Sequence, residues 1–275
     1  MAQDSTNGAP PAVIELNDVT YYRDRRRILH RVSMRVARGR ITALMGPSGV
    51  GKSTVLKLVT GQLRPSSGTV TVNGRDVNRL TGGELKRLRR SIGVLLQNGA
   101  LFTDLTCFEN VALPLREHTR LAESLIRTIV LGKLHAVGLR GAQGLLPREL
   151  SGGMARRVAL ARAIALDPAV VLYDEPLAGL DPISLAAAMR LIKTFNQALG
   201  LTSVVITHNV EEMQQLADDA YLLIGGEIAA SGTPEELAAN PSPLVRQFIR
   251  GEPDGPVPFH YPAPDIAADL FESAA

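Results

Sequence analysis

A chain of 275 residues, 45% of them hydrophobic, is long enough to bury one substantial core with a smaller lobe attached. Thirty Lys and Arg against 27 Asp and Glu leave a formal charge of +3, too mild a balance to indicate nucleic acid. Cys107 is the one cysteine, which excludes an internal disulfide and gives no sign of an oxidising compartment.

Residues 1–11 (MAQDSTNGAPP) are small and polar. They lack the apolar core of a signal peptide and read, through residue 12, as a flexible N-terminus. Val13–Leu16 and Ile28–Val36 carry alternating or β-rich patterns that predict an N-terminal antiparallel sheet. The arginine run Arg23, Arg25, Arg26 and Arg27 between them reads as a solvated turn. Ile41–Met45 is a short apolar run between Gly39 and Gly46, which predicts a buried strand. A helix is predicted from Ser53 to Leu63 with Gly61 near its end, then a strand over Thr69–Val72 turning at Asn73-Gly74.

Helical patterning dominates from about residue 98 to 165 and reads as an inserted helical lobe. Strands return at Val170–Tyr173 and Ser203–Thr207, separated by a helix over Ser184–Leu199. That alternation predicts a mostly parallel sheet with flanking helices. Tyr221–Ile224 and Glu227–Ala230, joined by Gly225-Gly226, predict a hairpin. Residues 251–275 form a proline-rich extension, not helical over its proline-dense part. Apolar runs such as Val170–Tyr173 fall far short of the ~20 residues needed to cross a bilayer. The expectation is a soluble chain that meets a membrane only through a partner.

Gly46-Pro47-Ser48-Gly49-Val50-Gly51-Lys52-Ser53-Thr54 fits the phosphate-loop pattern, directly after a buried strand and opening a helix. Glycines let successive backbone N–H groups turn inward around a phosphate, and the helix end adds partial positive charge. Lys52 is the candidate bridge between β- and γ-phosphate oxygens of ATP, and Ser53 a candidate ligand of Mg2+. The strand Val170–Tyr173 ends in Asp174 and Glu175. Asp174 suits the Mg2+ partner role and Glu175 the activation of the attacking water. His208, at the end of Ser203–Thr207, is placed to bond a γ-phosphate, and Gln97 to sense Mg2+ or the water.

Ser151-Gly152-Gly153 opens a helix that runs towards Leu166. Ser151 is a good N-cap. Two glycines in a first turn cost about 1 kcal/mol each against alanine, a cost expected where side chains would obstruct something. A bare helix end is an anion site, which makes this a second phosphate cradle in one chain.

In order and spacing, Gly46–Thr54, Gln97, Leu150–Met154, Asp174–Glu175, Leu180–Asp181 and His208 resemble the ATP-binding subunits of ABC transporters across roughly residues 13–250. The resemblance implies a P-loop NTPase (RecA-like) α/β core with an antiparallel β subdomain and an inserted α-helical subdomain. It also implies a homodimer in which Ser151, Gly152 and Gly153 of one copy close over the γ-phosphate held by the other. Gln97 then links nucleotide state to an integral membrane permease, Asp181 reaches across the dimer, and His208 acts as the switch histidine. Met154 stands where the family usually has glutamine. The adenine-stacking aromatic of many relatives falls on Arg23, beside Tyr21 and Tyr22, and all three remain candidates.

Asn98–Thr119 resembles the branch serving Mce-type lipid transporters, and Gly255–Pro262 the extension found in the Mla (maintenance of lipid asymmetry) group. Phe259 and Tyr261 in that extension suit docking onto a neighbouring subunit. This implies glycerophospholipid as cargo, with a STAS-domain protein and a periplasmic Mce-domain protein as further partners. It also implies a peripheral position on the cytoplasmic face of a Gram-negative inner membrane, with no nucleic-acid partner. Two alternatives stay open at this point, an ATPase for import of another solute and a non-transport ABC ATPase.

Overall fold

The computed structural model describes residues 11–257. The sequence expectations for residues 1–10, for the extension beyond Val257, and for Phe259 and Tyr261 lie outside the described residues. In chain order, β1 (Ala12–Arg23) and β2 (Arg26–Ala37) are followed by β3 (Ile41–Met45), α1 (Lys52–Val59), β4 (Ser67–Val72) and the two-residue β5 (Arg75–Asp76). Next come α2 (Gly82–Arg90), β6 (Ile92–Leu95), α3 (Cys107–His118), α4 (Glu123–Ala136), α5 (Gly152–Ala163) and β7 (Val170–Asp174). The chain continues through α6 (Pro182–Leu199), β8 (Thr202–Ile206), α7 (Val210–Leu216), β9 (Asp219–Ile224), β10 (Glu227–Gly232), α8 (Pro234–Ala238) and α9 (Pro243–Arg250).

Two sheets result. The antiparallel one runs in the order β2-β1-β4-β5, and the mixed one in the order β10-β9-β3-β8-β7-β6. Within the second, β9, β3, β8, β7 and β6 are mutually parallel neighbours, and β10 closes an antiparallel hairpin on β9. The central strands are near-continuous apolar runs because both of their faces are covered. Alternate residues of β7 divide between two cores. Val170 and Leu172 pack with the antiparallel sheet and α1, whereas Val171 and Tyr173 pack under α3, α5 and α6. Val204 and Ile206 of β8 follow the first pattern and Val205 the second, as a side-chain period of two requires.

Two helix ends differ from the sequence expectation. α1 stops at Val59 rather than Leu63, because Gly61 takes φ +64° and the Gln62 and Leu63 N–H groups turn back to the Lys57 carbonyl. That is a glycine-terminated helix end. α5 stops at Ala163, short of Leu166. Among the described residues no helix is long and apolar enough to cross a membrane.

The parallel arrangement has one consequence for chemistry. The C-terminal ends of β3, β6, β7 and β8 lie along one edge of the sheet, the edge where open α/β sheets bind ligands. The loop after β3 carries Gly46–Thr54, β6 leads to Gln97, β7 ends at Asp174, and β8 leads to His208.

Candidate functional site

The loop between β3 and α1 can form only because glycine stands at two of its positions. Gly46 has φ +145°, and a Cβ there would lie 2.1 Å from the Leu223 carbonyl oxygen. Gly51 has φ +114°, and a Cβ there would lie 2.9 Å from Leu29 Cδ2. Gly51 is also the N-cap of α1, so no side chain occupies the first N–H groups of the helix, and no acid lies in its first turn. Such an end is left open to an anion.

Lys52 is buried, and its Nζ donates to the Gly46 and Pro47 carbonyls at 2.6 and 2.9 Å. Burial lowers its pKa, while the nearby Glu175 and Asp174 charges act to raise it. Ser53 Oγ donates to Asp174 Oδ1 at 3.4 Å. Burial raises the Asp174 pKa, and the Ser53 hydrogen bond opposes that rise. Beyond Asp174 the chain turns sharply. Glu175 has φ +46°, its N–H bonds the Ile206 carbonyl at 3.0 Å, and its Oε1 lies 3.3 Å from His208 Nδ1.

Beside these groups lies a cavity of about 370 Å³ lined by Arg23, Ser48, Gly49, Gly51, Lys52, Ser53, Thr54, Gln97 and Glu175, with Ile28 at its wall. Gly46, Pro47, Asp174 and His208 lie outside the lining and are bonded to Lys52, Ser53 and Glu175 within it. Of the three candidates beside the turn of β1 and β2, Arg23 faces this cavity. Tyr21 packs against the core below the antiparallel sheet and Tyr22 is exposed. Val50 is half-buried against that same core. The oxygen donors gathered here, Ser53 Oγ, Asp174 Oδ1 and the Gln97 amide, are hard ligands that fit Mg2+ held jointly with phosphate oxygens.

Ser151, Gly152, Gly153 and Asp181 are not among the lining residues. Ser151 caps α5, its Oγ accepting from the Met154 N–H at 3.2 Å, and both Ser151 and Gly152 are exposed. The two glycines have different reasons. A Cβ on Gly152 would meet nothing within 4 Å, whereas one on Gly153 would lie 2.6 Å from Ser184 Oγ on α6. Asp181 caps α6 through the Ile183 and Ser184 N–H groups, and the Ser184 side chain, together with these N–H bonds, holds its pKa low. Met154 is half-buried against the apolar core.

Sequence reasoning missed Glu212 and Arg156. Glu212 Oε2 accepts from Thr207 Oγ1 at 2.5 Å, and Thr207 Oγ1 accepts from the Asn209 N–H at 3.0 Å. His208 is thus held between two fixed neighbours, and burial raises the Glu212 pKa. The signal was present in Asn209, a helix cap followed by Glu211 and Glu212 in the first turn. Arg156 carried none, because its contacts lie nineteen and more positions away.

A family model described as ABC transporter matches residues 29–178, more than half of the chain. The chain belongs to the ABC transporter family. This ABC ATPase is 53% identical to the intermembrane phospholipid transport system ATP-binding protein MlaF of Haemophilus influenzae, across 94% of this chain and 98% of that protein. It is 50% identical to the protein of the same name from Escherichia coli K12, across 94% and 96%. Among solved structures, a dimeric post-hydrolysis state of the ATP-binding cassette MJ0796 bound to ADP and Pi matches with a TM-score of 0.73. That cassette is 32% identical, over 80% of this chain and 98% of that one. ABC ATPases of this kind work as dimers with membrane permeases, and the P-loop NTPase fold expected from the sequence is the one present.

Proposed function

We propose that this chain binds ATP with Mg2+ at the Gly46–Thr54 cradle and hydrolyses it as one half of a homodimer. The dimer sits beneath an integral permease that moves phospholipid between the inner and outer membranes. The observation that carries the reading is the division of the phosphate-binding features. The cradle and Glu175 line one cavity, with Asp174 bonded to Ser53 of the cradle, while the exposed helix end at Ser151 is not part of that lining. A second copy supplies the missing half.

Within each composite site the residues take distinct tasks. Lys52 exchanges the Gly46 and Pro47 carbonyls for β- and γ-phosphate oxygens. Arg23 lays its guanidinium plane on adenine. Mg2+, held through Ser53, Asp174 and Gln97, neutralises phosphate charge when bound. Glu175 accepts the proton of a water whose oxygen bonds the γ-phosphorus. The bond from that phosphorus to the β–γ bridging oxygen breaks, leaving ADP and phosphate. His208 braces the Glu175 carboxylate through Nδ1 and bonds the γ-phosphate through its other ring nitrogen. Ser151, Gly152 and Gly153 of the partner copy grip that phosphate only before hydrolysis, so product formation releases the closed dimer. Asp181 lines the junction.

The similarity to phospholipid-transport ATP-binding proteins from two Gram-negative bacteria supports the cargo. It also supports a peripheral place on the cytoplasmic face of the inner membrane, with membrane contact only through the permease. A STAS-domain protein and a periplasmic Mce-domain protein complete the assembly in this reading, and no nucleic acid takes part. Purification of the complex from solubilised membranes tests it. Co-purifying glycerophospholipid is expected. A lipid-free complex carrying a polar-solute receptor would assign the engine to another cargo.

A further inference from the structure

Half-buried Arg156, on α5, is aimed at the main chain that follows β7. Its guanidinium donates to the Glu175 carbonyl at 3.0 Å and to the Ala178 carbonyl at 3.2 Å. Glu175 has φ +46°, a left-handed conformation disfavoured for a residue with a Cβ. Such a conformation persists only where the surroundings over-determine it. Here both sides of the residue are held, the N–H by Ile206 of β8 at 3.0 Å and the carbonyl by Arg156. The Ala178 N–H reaches that same carbonyl only at 3.4 Å, so the arginine makes the closer contact.

We propose that Arg156 is a positioning residue for ATP hydrolysis. It fixes the Glu175 backbone from α5, the helix whose first residues carry the exposed Ser151 end. The inference rests on the reading of Glu175 as the group that activates water. The geometry extends further along the same segment. Gly153, one turn before Arg156, abuts Ser184 of α6, whose cap is Asp181. The stretch from Glu175 to Ser184 therefore meets α5 at both ends, so in this proposal a displacement of α5 carries the Glu175 peptide with it. A guanidinium suits the task because its rigid fork spans two carbonyls at once, which a lysine ammonium does not.

The test is a mutant cycle on the full-length chain, with kcat and KM for ATP, affinity for ATP and thermal unfolding measured for each variant. Arg156→Met keeps an apolar stem and removes every donor. Its kcat is expected to fall about 30-fold, as for a carboxylate displaced by a fraction of an ångström, with KM within about two-fold of wild type. Arg156→Lys recovers part of the loss. In a Glu175→Gln background, Arg156→Met should change the residual rate by less than about two-fold, because both substitutions act on one group. An unchanged kcat in Arg156→Met, or an equal loss in both backgrounds, would overturn the inference. If Arg156→Met does not fold, Arg156→Lys carries the same cycle with the same criteria. Full activity of Glu175→Gln would instead overturn the reading of the site, a separate outcome.

Discussion

At the cradle, the ammonium of Lys52 is buried and held by two carbonyl oxygens, with Asp174 and Glu175 close enough to offset part of the burial penalty. Removing it leaves phosphate oxygens facing a loop with no counter-charge. Lys52→Ala is expected to weaken ATP binding at least about 100-fold, read by titration calorimetry, and an unaltered affinity would dismiss the cradle assignment. Asp174 poses the opposite problem. Its pKa is raised by burial, so the folded chain binds a proton more tightly than the unfolded one. Stability then falls as pH climbs from the ordinary carboxylate range through the raised value. Asp174→Asn removes that charge. It is expected to raise the melting temperature, measured without nucleotide, by about 2–4 °C at neutral pH while ending Mg2+-dependent hydrolysis. A lower melting temperature would mean that the Ser53 contact outweighs the burial cost. The residues of this cavity were legible because their chemistry is local, glycines beside a lysine or acids at a strand end. Arg156 and Glu212 were not, since a lone arginine or glutamate on an amphipathic helix reads the same facing solvent or facing a carbonyl.

Elements were most legible where burial on both faces forces a continuous apolar run, as at β3, whose five residues are all buried. They were least legible in the arginine-rich α2 and in the short α7, α8 and α9, each under three turns long and below the window in which a period can be read. The loop from Gln97 to α3 depends on side chains that no pattern reveals. Asn110 is fully buried, its Oδ1 accepting from the Phe102 N–H and its Nδ2 reaching the Phe102, Leu105 and Thr106 carbonyls. Arg162 of α5 adds a bond to the Gly99 carbonyl at 2.7 Å and stacks 5.8 Å over the Phe102 ring. This knot ties the Gln97 loop to α3 and α5. Asn110→Ala strips partners from several buried main-chain groups, so a loss of about 2–3 kcal/mol is expected in urea unfolding. A change below about 0.5 kcal/mol would show that water replaces the amide without cost.

For the molecule as a whole, the decisive arrangement is that one chain presents a phosphate cavity and, outside its lining, an exposed helix end suited to phosphate. Sequence supplied both motifs, but their separation in space is a property of the fold. It turns a question about residues into one about which copy contributes what. Ser151→Arg blocks the helix end and Glu175→Gln disables the carboxylate, so each homodimer carries two defective sites and little activity. Mixed before ATP is added, the two variants form heterodimers in which one site pairs an intact carboxylate with an intact Ser151. Random pairing then restores about a quarter of the wild-type rate if the two sites turn over independently. Placing both substitutions in one chain and mixing it with wild type gives the control. Each heterodimer site then contains one defect, and activity tracks the wild-type homodimer fraction alone. At equal amounts that fraction is also about a quarter, so shared sites make the two mixtures equally active, whereas sites completed within a single chain would leave the first inactive and the second at about half the wild-type rate. The two mixtures contain the same substitutions in the same amounts, so only the sharing of sites between copies distinguishes them.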